Sequence, residues 1–187
     1  MMLKEKEIIE KLKKEQGYQN SLAVPRIIKV VVNVGLGQSK TNPHFGEIVE
    51  KSLLAITGQK PAFRPARKAV AGFKIRQGEK VGLVITLRGQ RMKDFIIKLA
   101  NVVLPRMRDF RGLKIKGFDR QGNYTLGIKE QIVFPEISPE KAEVLHGLSI
   151  RIQTTAKNPE EGKTMLEAWG LPFEKPQGKP FEKEKNG

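Results

Sequence analysis

Apolar residues recur along this chain in two rhythms, one helical and one extended. Over residues 45–57 (FGEIVEKSLLAIT), Ile48, Leu53 and Ile56 return at helical spacing and Gly58 closes the run. Residues 91–104 (RMKDFIIKLANVVL) form the clearest amphipathic helix, and Pro105 is expected to stop it. Over residues 3–16, five lysines and four glutamates surround Ile8, Ile9 and Leu12, the pattern of a surface helix that Gly17 ends. Its lysines read either as a solvated face or as RNA contacts. Asn158-Pro159-Glu160-Glu161 joins a capping Asn, a first-turn Pro and two acids at the positive end of the helix dipole, so a helix follows to about Trp169. Ser138-Pro139-Glu140 is a shorter start of the same kind.

The extended rhythm begins after Pro25, where IIKVVVNVG within Arg26–Gly35 is rich in β-branched residues and reads as a buried strand. Ala66–Ile75 and Val81–Arg88 read as two strands joined by the turn-like RQGEK, an antiparallel hairpin with a basic tip. Tyr124–Phe134 and Leu148–Thr155 are strand-like, and Asp119–Asn123 is a turn. Strands and helices mixed in this way predict an α+β fold: a single domain with a largely antiparallel sheet, packed with helices and carrying a protruding basic β-hairpin loop. The domain is expected to span residues 1–175, and the polar, Pro/Gly-rich residues 176–187 to form a flexible tail.

Charge changes the picture from fold to partner. The formal net charge is +15, and the window from Lys60 to Lys93 holds ten basic residues against one acid, Glu79. That window supplies +9, leaving +6 for the rest of the chain. Cationic side chains concentrated on a glycine-punctuated ribbon suit a phosphate backbone, whereas a merely soluble surface mixes its signs. Alternation along a strand sends neighbouring side chains to opposite faces, so not all of these cations can meet one ligand. Phe63 and Phe73 lie inside the window; each could stack on an unpaired base or belong to the core. The chain has no cysteine, hence no disulfide and no thiolate metal site. No apolar run approaches membrane-spanning length, and the N-terminal charges interrupt any signal-like segment, which fits a cytoplasmic protein without a membrane partner.

Candidate chemistry is sparse. Gly35-Leu36-Gly37-Gln38-Ser39-Lys40-Thr41 follows a strand, but Ser39 stands where a phosphate loop needs glycine before lysine, and Lys40 stands where a dinucleotide fingerprint needs its third glycine. An ordinary strand-to-helix turn accounts for it. His44 and His146 lack ligand-spaced partners, and no serine sits in a nucleophile elbow. No enzyme activity, cofactor or metal is expected.

Longer strings are specific enough to compare with a family. They include Val32-Asn33-Val34-Gly35, Thr57-Gly58-Gln59-Lys60-Pro61, Ala66-Arg67-Lys68-Ala69-Val70-Ala71-Gly72-Phe73-Lys74-Ile75-Arg76-Gln77-Gly78 and Val84-Ile85-Thr86-Leu87-Arg88-Gly89. Leu104-Pro105-Arg106-Met107-Arg108-Asp109-Phe110-Arg111-Gly112, Glu130-Gln131-Ile132-Val133-Phe134-Pro135-Glu136-Ile137, Thr154-Thr155-Ala156-Lys157 and Gly170-Leu171-Pro172-Phe173 continue the series. From about Val24 to Phe173 the chain resembles the bacterial large-subunit ribosomal proteins, number five in the usual nomenclature, that bind 5S rRNA. The resemblance implies a single α+β domain with one sheet face on 5S rRNA. It implies that Asn33, Gln59 and Thr86 make buried polar hydrogen bonds to that RNA and that Arg64, Arg67, Lys68 and Arg88 grip phosphates, with Lys60 and Arg91 secondary. Neutral amides and hydroxyls suit a buried contact because they donate and accept without a charge to desolvate.

The family's long loop corresponds to Ala71–Gly78 and implies P-site tRNA contact by Gly72, Phe73, Lys74, Ile75, Arg76, Gln77 and Gly78. Placement on the ribosome further implies 23S rRNA, neighbouring ribosomal proteins and a bridge to a small-subunit head protein through the region after Arg108. This chain departs from the family at Glu79-Lys80, where an apolar or aromatic residue and proline are common, and at His146-Gly147-Leu148-Ser149. The competing readings are a free RNA-binding or chaperone protein acting off the ribosome and a small nucleotide-dependent enzyme acting on RNA.

Overall fold

The computed structural model describes residues 5–37, 42–108, 110–138, 140 and 143–174. Its elements are α1 (Glu5–Gln16), β1 (Ile27–Gly35), α2 (Phe45–Thr57), β2 (Ala62–Pro65), β3 (Lys80–Leu87), α3 (Gly89–Lys98), a π turn (Leu99–Val103), α4 (Leu104–Arg106), β4 (Tyr124–Ile128), β5 (Leu148–Thr154) and α5 (Pro159–Ala168). The five strands form one antiparallel sheet in the order β2-β3-β1-β5-β4. The first strand in the chain is therefore the central one, and the α+β expectation holds.

Alternation decides which side of the sheet becomes the core. Val30, Val32 and Val34 of β1, Leu83, Ile85 and Leu87 of β3, and Ile150 and Ile152 of β5 are buried together. Phe45, Val49, Leu53 and Ile56 of α2 and Met92, Phe95 and Ile96 of α3 pack over them. α1 lies against α5. The intervening strand positions point the other way and are exposed or half-buried, Gly82 excepted.

Helix ends follow local chemistry. Asn158 Oδ1 accepts a 2.8 Å hydrogen bond from the Glu161 amide, as the capping motif predicts. Gly58 takes φ 65° at the end of α2, where its amide bonds the Leu54 carbonyl. Ser138-Pro139-Glu140, the stretch 38–41 and the tail 176–187 lie wholly or partly outside the described residues.

Four local expectations need correction. β1 is apolar almost throughout, yet only one face is buried: Ile28, at a register shift, is 43% exposed and Val31 half-buried. The strand ahead of β3 is Ala62–Pro65, not Ala66–Ile75. Pairing with β3 slips between Arg64 and Pro65 and ends with Pro65 opposite Lys80, so residues 66–79 have no ladder left to join. The helix expected to stop at Pro105 runs on to Arg106 through the π turn, where the Leu104 amide reaches back to the Leu99 carbonyl. The wider turn accommodates a ring that an α-helical turn would press against the carbonyl four residues back. Finally, the strand from Tyr124 ends at Ile128, and Gln131–Val133 forms a 3-10 turn. That turn is held by Gln131, whose Nε2 donates to the Val144 carbonyl at 2.8 Å and whose Oε1 accepts from the His146 amide at 2.7 Å.

Candidate nucleic-acid interface

The uncovered face of the sheet is organised in rows set by strand register. Arg64, Gly82 and Gly35 form one row, and Ala62, Val84, Asn33, Ser149 and Gly127 form the next. Thr86, Val31, Arg151 and Thr125 form the third, with Gln153 and Lys29 beyond it. The middle of this face is floored by small or neutral side chains. Among these positions none is acidic and none aromatic.

Asn33 and Thr86 occupy adjacent rows on neighbouring strands, which brings them together diagonally. A Cβ built on Gly82 would lie 3.9 Å from Asn33 Oδ1, so the Asn33 amide leans across the glycine. Gln59 follows the α2 cap, and its Nε2 donates to the Thr86 carbonyl at 3.4 Å. Thr57 helps to hold that turn, its hydroxyl donating to the Leu53 carbonyl at 2.7 Å and accepting from the Gln59 amide at 3.3 Å. The three neutral residues singled out by the family resemblance thus converge on one patch.

The cations do not all converge. Arg64 shares the open face at one end of β3, opposite Gly82. Arg88 is extended (φ −140°, ψ 167°), so alternation from Thr86 carries it toward the same face at the other end. Six residues of strand separate the two ends, about 20 Å at the rise of a β-strand. Arg67 and Lys68 lie past the end of β2, exposed at the base of the 66–79 loop. Lys60 faces Glu50 at 3.6 Å, which offsets its charge.

Phe63 lies on the core side of β2, opposite Leu83, half-buried with Lys80 Nζ 4.4 Å above its ring. It belongs to the core and not to the open face. Lys29 and Arg151 also lie on the open face, although no motif singled them out. The alternation of LSIRIQT, with Ser149, Arg151 and Gln153 on its polar side, was the available signal.

The 66–79 loop folds on itself. The Ala66 amide donates to the Glu79 carbonyl and the Gly78 amide to the Ala66 carbonyl, both near 2.9 Å, which closes the base. Val70 bridges Ile75, and Ala71–Phe73 forms a 3-10 turn at the tip. The tip is therefore at 71–74, and RQGEK forms the return turn and base. Phe73 is 72% exposed there. Lys74 has φ 51°, the only positive φ of a non-glycine described residue. Glu79 sits at the base of the loop and away from the tip, where Oε2 accepts from the Arg76 amide at 2.9 Å.

His146 departs from the family pattern at a buried site. It is 5% exposed, meets Phe45 edge-on at 6.3 Å, and neither ring nitrogen has a hydrogen-bond partner. Burial pushes its pKa down, favouring the neutral ring. His44 is exposed beside Glu47. Among the described residues no group of His, Cys, Asp and Glu could hold a metal ion, and no helix is long and apolar enough to cross a membrane.

Known proteins give this geometry its family. Residues 20–76 match the family model described as ribosomal protein L5, and residues 80–173 match the model of the C-terminus of the same ribosomal protein family. The two segments meet inside the 66–79 loop, yet β1 and β2 of the first pair with β3 and β5 of the second, so both build one sheet. The chain is 49% identical over 169 residues to large ribosomal subunit protein uL5 of Anaeromyxobacter sp. (strain Fw109-5), covering 90% of this chain and 94% of that protein. It is 52% identical over 166 residues to the protein of that name from Synechococcus sp. (strain JA-2-3B'a(2-13)), covering 89% and 92%. The Kosmotoga olearia protein is 47% identical over 171 residues, covering 91% and 93%. With family models matched across both halves and relatives aligned nearly end to end, the chain belongs to the ribosomal protein L5 family, structural constituents of the large ribosomal subunit and not enzymes.

Proposed function

We propose that the open sheet face anchors 5S rRNA in the large subunit and that the 71–78 loop touches P-site tRNA. One observation carries the reading: Asn33, Gln59 and Thr86 meet on an open face whose strand positions hold no acid, with Arg64 and Arg88 toward its two ends. Neutral donors and acceptors at the centre can be buried against RNA at low desolvation cost, while guanidinium groups at the margins meet phosphates. The lack of aromatic side chains among these face positions favours a structured RNA surface over splayed single-stranded bases, which need a stacking platform.

In this reading Gly72, Phe73, Lys74, Ile75, Arg76, Gln77 and Gly78 present a small cationic knob to a transient partner. Contacts with 23S rRNA and with a small-subunit head protein, the latter through the region after Arg108, complete the placement. The test is a pull-down of cellular RNA on the full chain at near-cellular ionic strength. One short ribosomal species, 5S rRNA, should dominate the eluate; enrichment of mixed RNA without it would refute the assignment.

A further inference from the structure

The open face also carries Lys29 of β1 and Arg151 of β5, and Arg151 is held in a built bracket. Asp119 Oδ1 accepts from the Gln121 and Asn123 amides at 3.0 and 2.9 Å, and Oδ2 accepts from Asn123 Nδ2 at 2.8 Å and Arg151 Nη2 at 3.1 Å. Asn123 is itself buried, and its Oδ1 accepts from the Thr154 amide at 3.0 Å. Thr154 closes the bracket by donating its hydroxyl to the Gly122 carbonyl at 3.0 Å. Gly122 is required here: φ is +73°, and a Cβ would lie 2.6 Å from the Asn158 carbonyl oxygen.

The bracket aims an exposed guanidinium with donors to spare. Arg151 keeps 55% of its side chain exposed, and a guanidinium has five N–H donors, of which Asp119 engages one nitrogen. Asp119 shares its two oxygens among four donors, and those hydrogen bonds together with Arg151 hold its carboxyl below the usual range despite the opposing effect of burial. The carboxylate therefore stays ionised and partly offsets Arg151, while the three donors from Gln121 and Asn123 fix its orientation. Lys29 stands diagonally across from Arg151, since Lys29 pairs with Gln153 and Val31 with Arg151. Thr86 and Arg151 share a row two strands apart, about 10 Å at sheet spacing.

We propose that Arg151, positioned by Asp119 and joined by Lys29, is a second phosphate grip on the open face, taking the 5S rRNA backbone beyond the Asn33–Gln59–Thr86 patch. The occupant follows from charge complementarity: Lys29, Arg151 and the hydroxyl-bearing Ser149 and Thr125 lie on the open face, with Asp119 fixed beside Arg151. This inference rests on the reading that the face carries 5S rRNA, and its test separates the two. Filter-binding titrations with 5S rRNA across a series of KCl concentrations would compare the full chain with Arg151→Met, Lys29→Met, Asp119→Asn and Thr86→Val, each checked by thermal melting.

Arg151→Met should weaken binding several-fold and make the log–log salt slope shallower by about 0.9, the signature of one lost phosphate contact. Lys29→Met should do the same to a smaller extent. Asp119→Asn should also weaken binding although it adds net positive charge; tighter binding would show that the carboxylate merely repels RNA and would overturn its positioning role. If Arg151→Met lowers the melting temperature but leaves affinity and slope unchanged while Thr86→Val weakens binding, the pair is only a structural tie. The second grip then falls and the 5S reading stands. If the unmodified chain does not bind 5S rRNA, both fall.

Discussion

The sheet face and the 66–79 loop are both basic, but they are built in opposite ways. The face rests on a core of fully buried side chains, and each strand position is held by pairing on both sides except at the edges. The loop has one isolated bridge, a single 3-10 turn and an exposed tip, and it contributes no residue to the buried core between Ala66 and Lys80. A floor whose groups are already in place loses little entropy on binding and suits a permanent partner. A projection with few buried contacts opens at low cost and suits a partner that comes and goes. Under the proposed reading the same surplus of charge serves two kinds of contact, and the difference lies in what supports it.

The strongest way to break the comparison is to attack the support. Ile85 is 1% exposed on the core side of β3, next to Thr86 on the open side. Ile85→Ala should cost about 2–5 kcal/mol of stability in urea unfolding, and it should degrade the RNA face with the fold. Thr86→Val should do the reverse. Melting temperature should hold, while 5S rRNA affinity drops by the ~1–3 kcal/mol of an unmade buried hydrogen bond. Unchanged affinity in a filter-binding titration would remove Thr86 from the interface.

The loop predicts a third pattern. Lys74→Ala with Arg76→Ala should leave both stability and 5S binding unaltered and should lower P-site tRNA occupancy on reconstituted ribosomes. Loss of 5S binding in that variant would mean that loop and face act as one surface. The smallest effect sharpens the division furthest. Lys74 is a left-handed non-glycine residue, so Lys74→Gly relieves about 1 kcal/mol of backbone strain while removing one charge. Stability should stay level or rise slightly while tRNA occupancy still drops, tying the position to charge and not to loop shape.

Much of the scaffold was legible before folding. The α2 rhythm, the Asn158 cap, the Gly58 terminus and the Asp119–Asn123 turn are local, each decided by residues within a few positions of one another. The errors came where distant segments compete. Val70 and Ile75 are β-branched and look like strand, but β3 had already been partnered by Ala62–Pro65 and the chain between had to close on itself. β1 looked buried because Ile28 and Val31 are apolar, and only the packing of α2 and α3 over its other face shows that one side is left open. Nothing near His146 in the chain signals its burial, which comes from Phe45 of α2.

Taken alone, the order of amino acids determined the α+β class, the basic window and, through its family-like strings, the identity of Asn33, Gln59 and Thr86 as a set. Tertiary structure decided which residues stand beside them. Lys29, Arg151 and Asp119 are far apart along the chain and come to one region only because β5 pairs with β1 on one edge and with β4 on the other. Strand propensity is a property of a few neighbouring residues, whereas register is chosen by burying every apolar row of five strands at once. That collective choice, made by the core, composes the face opposite it.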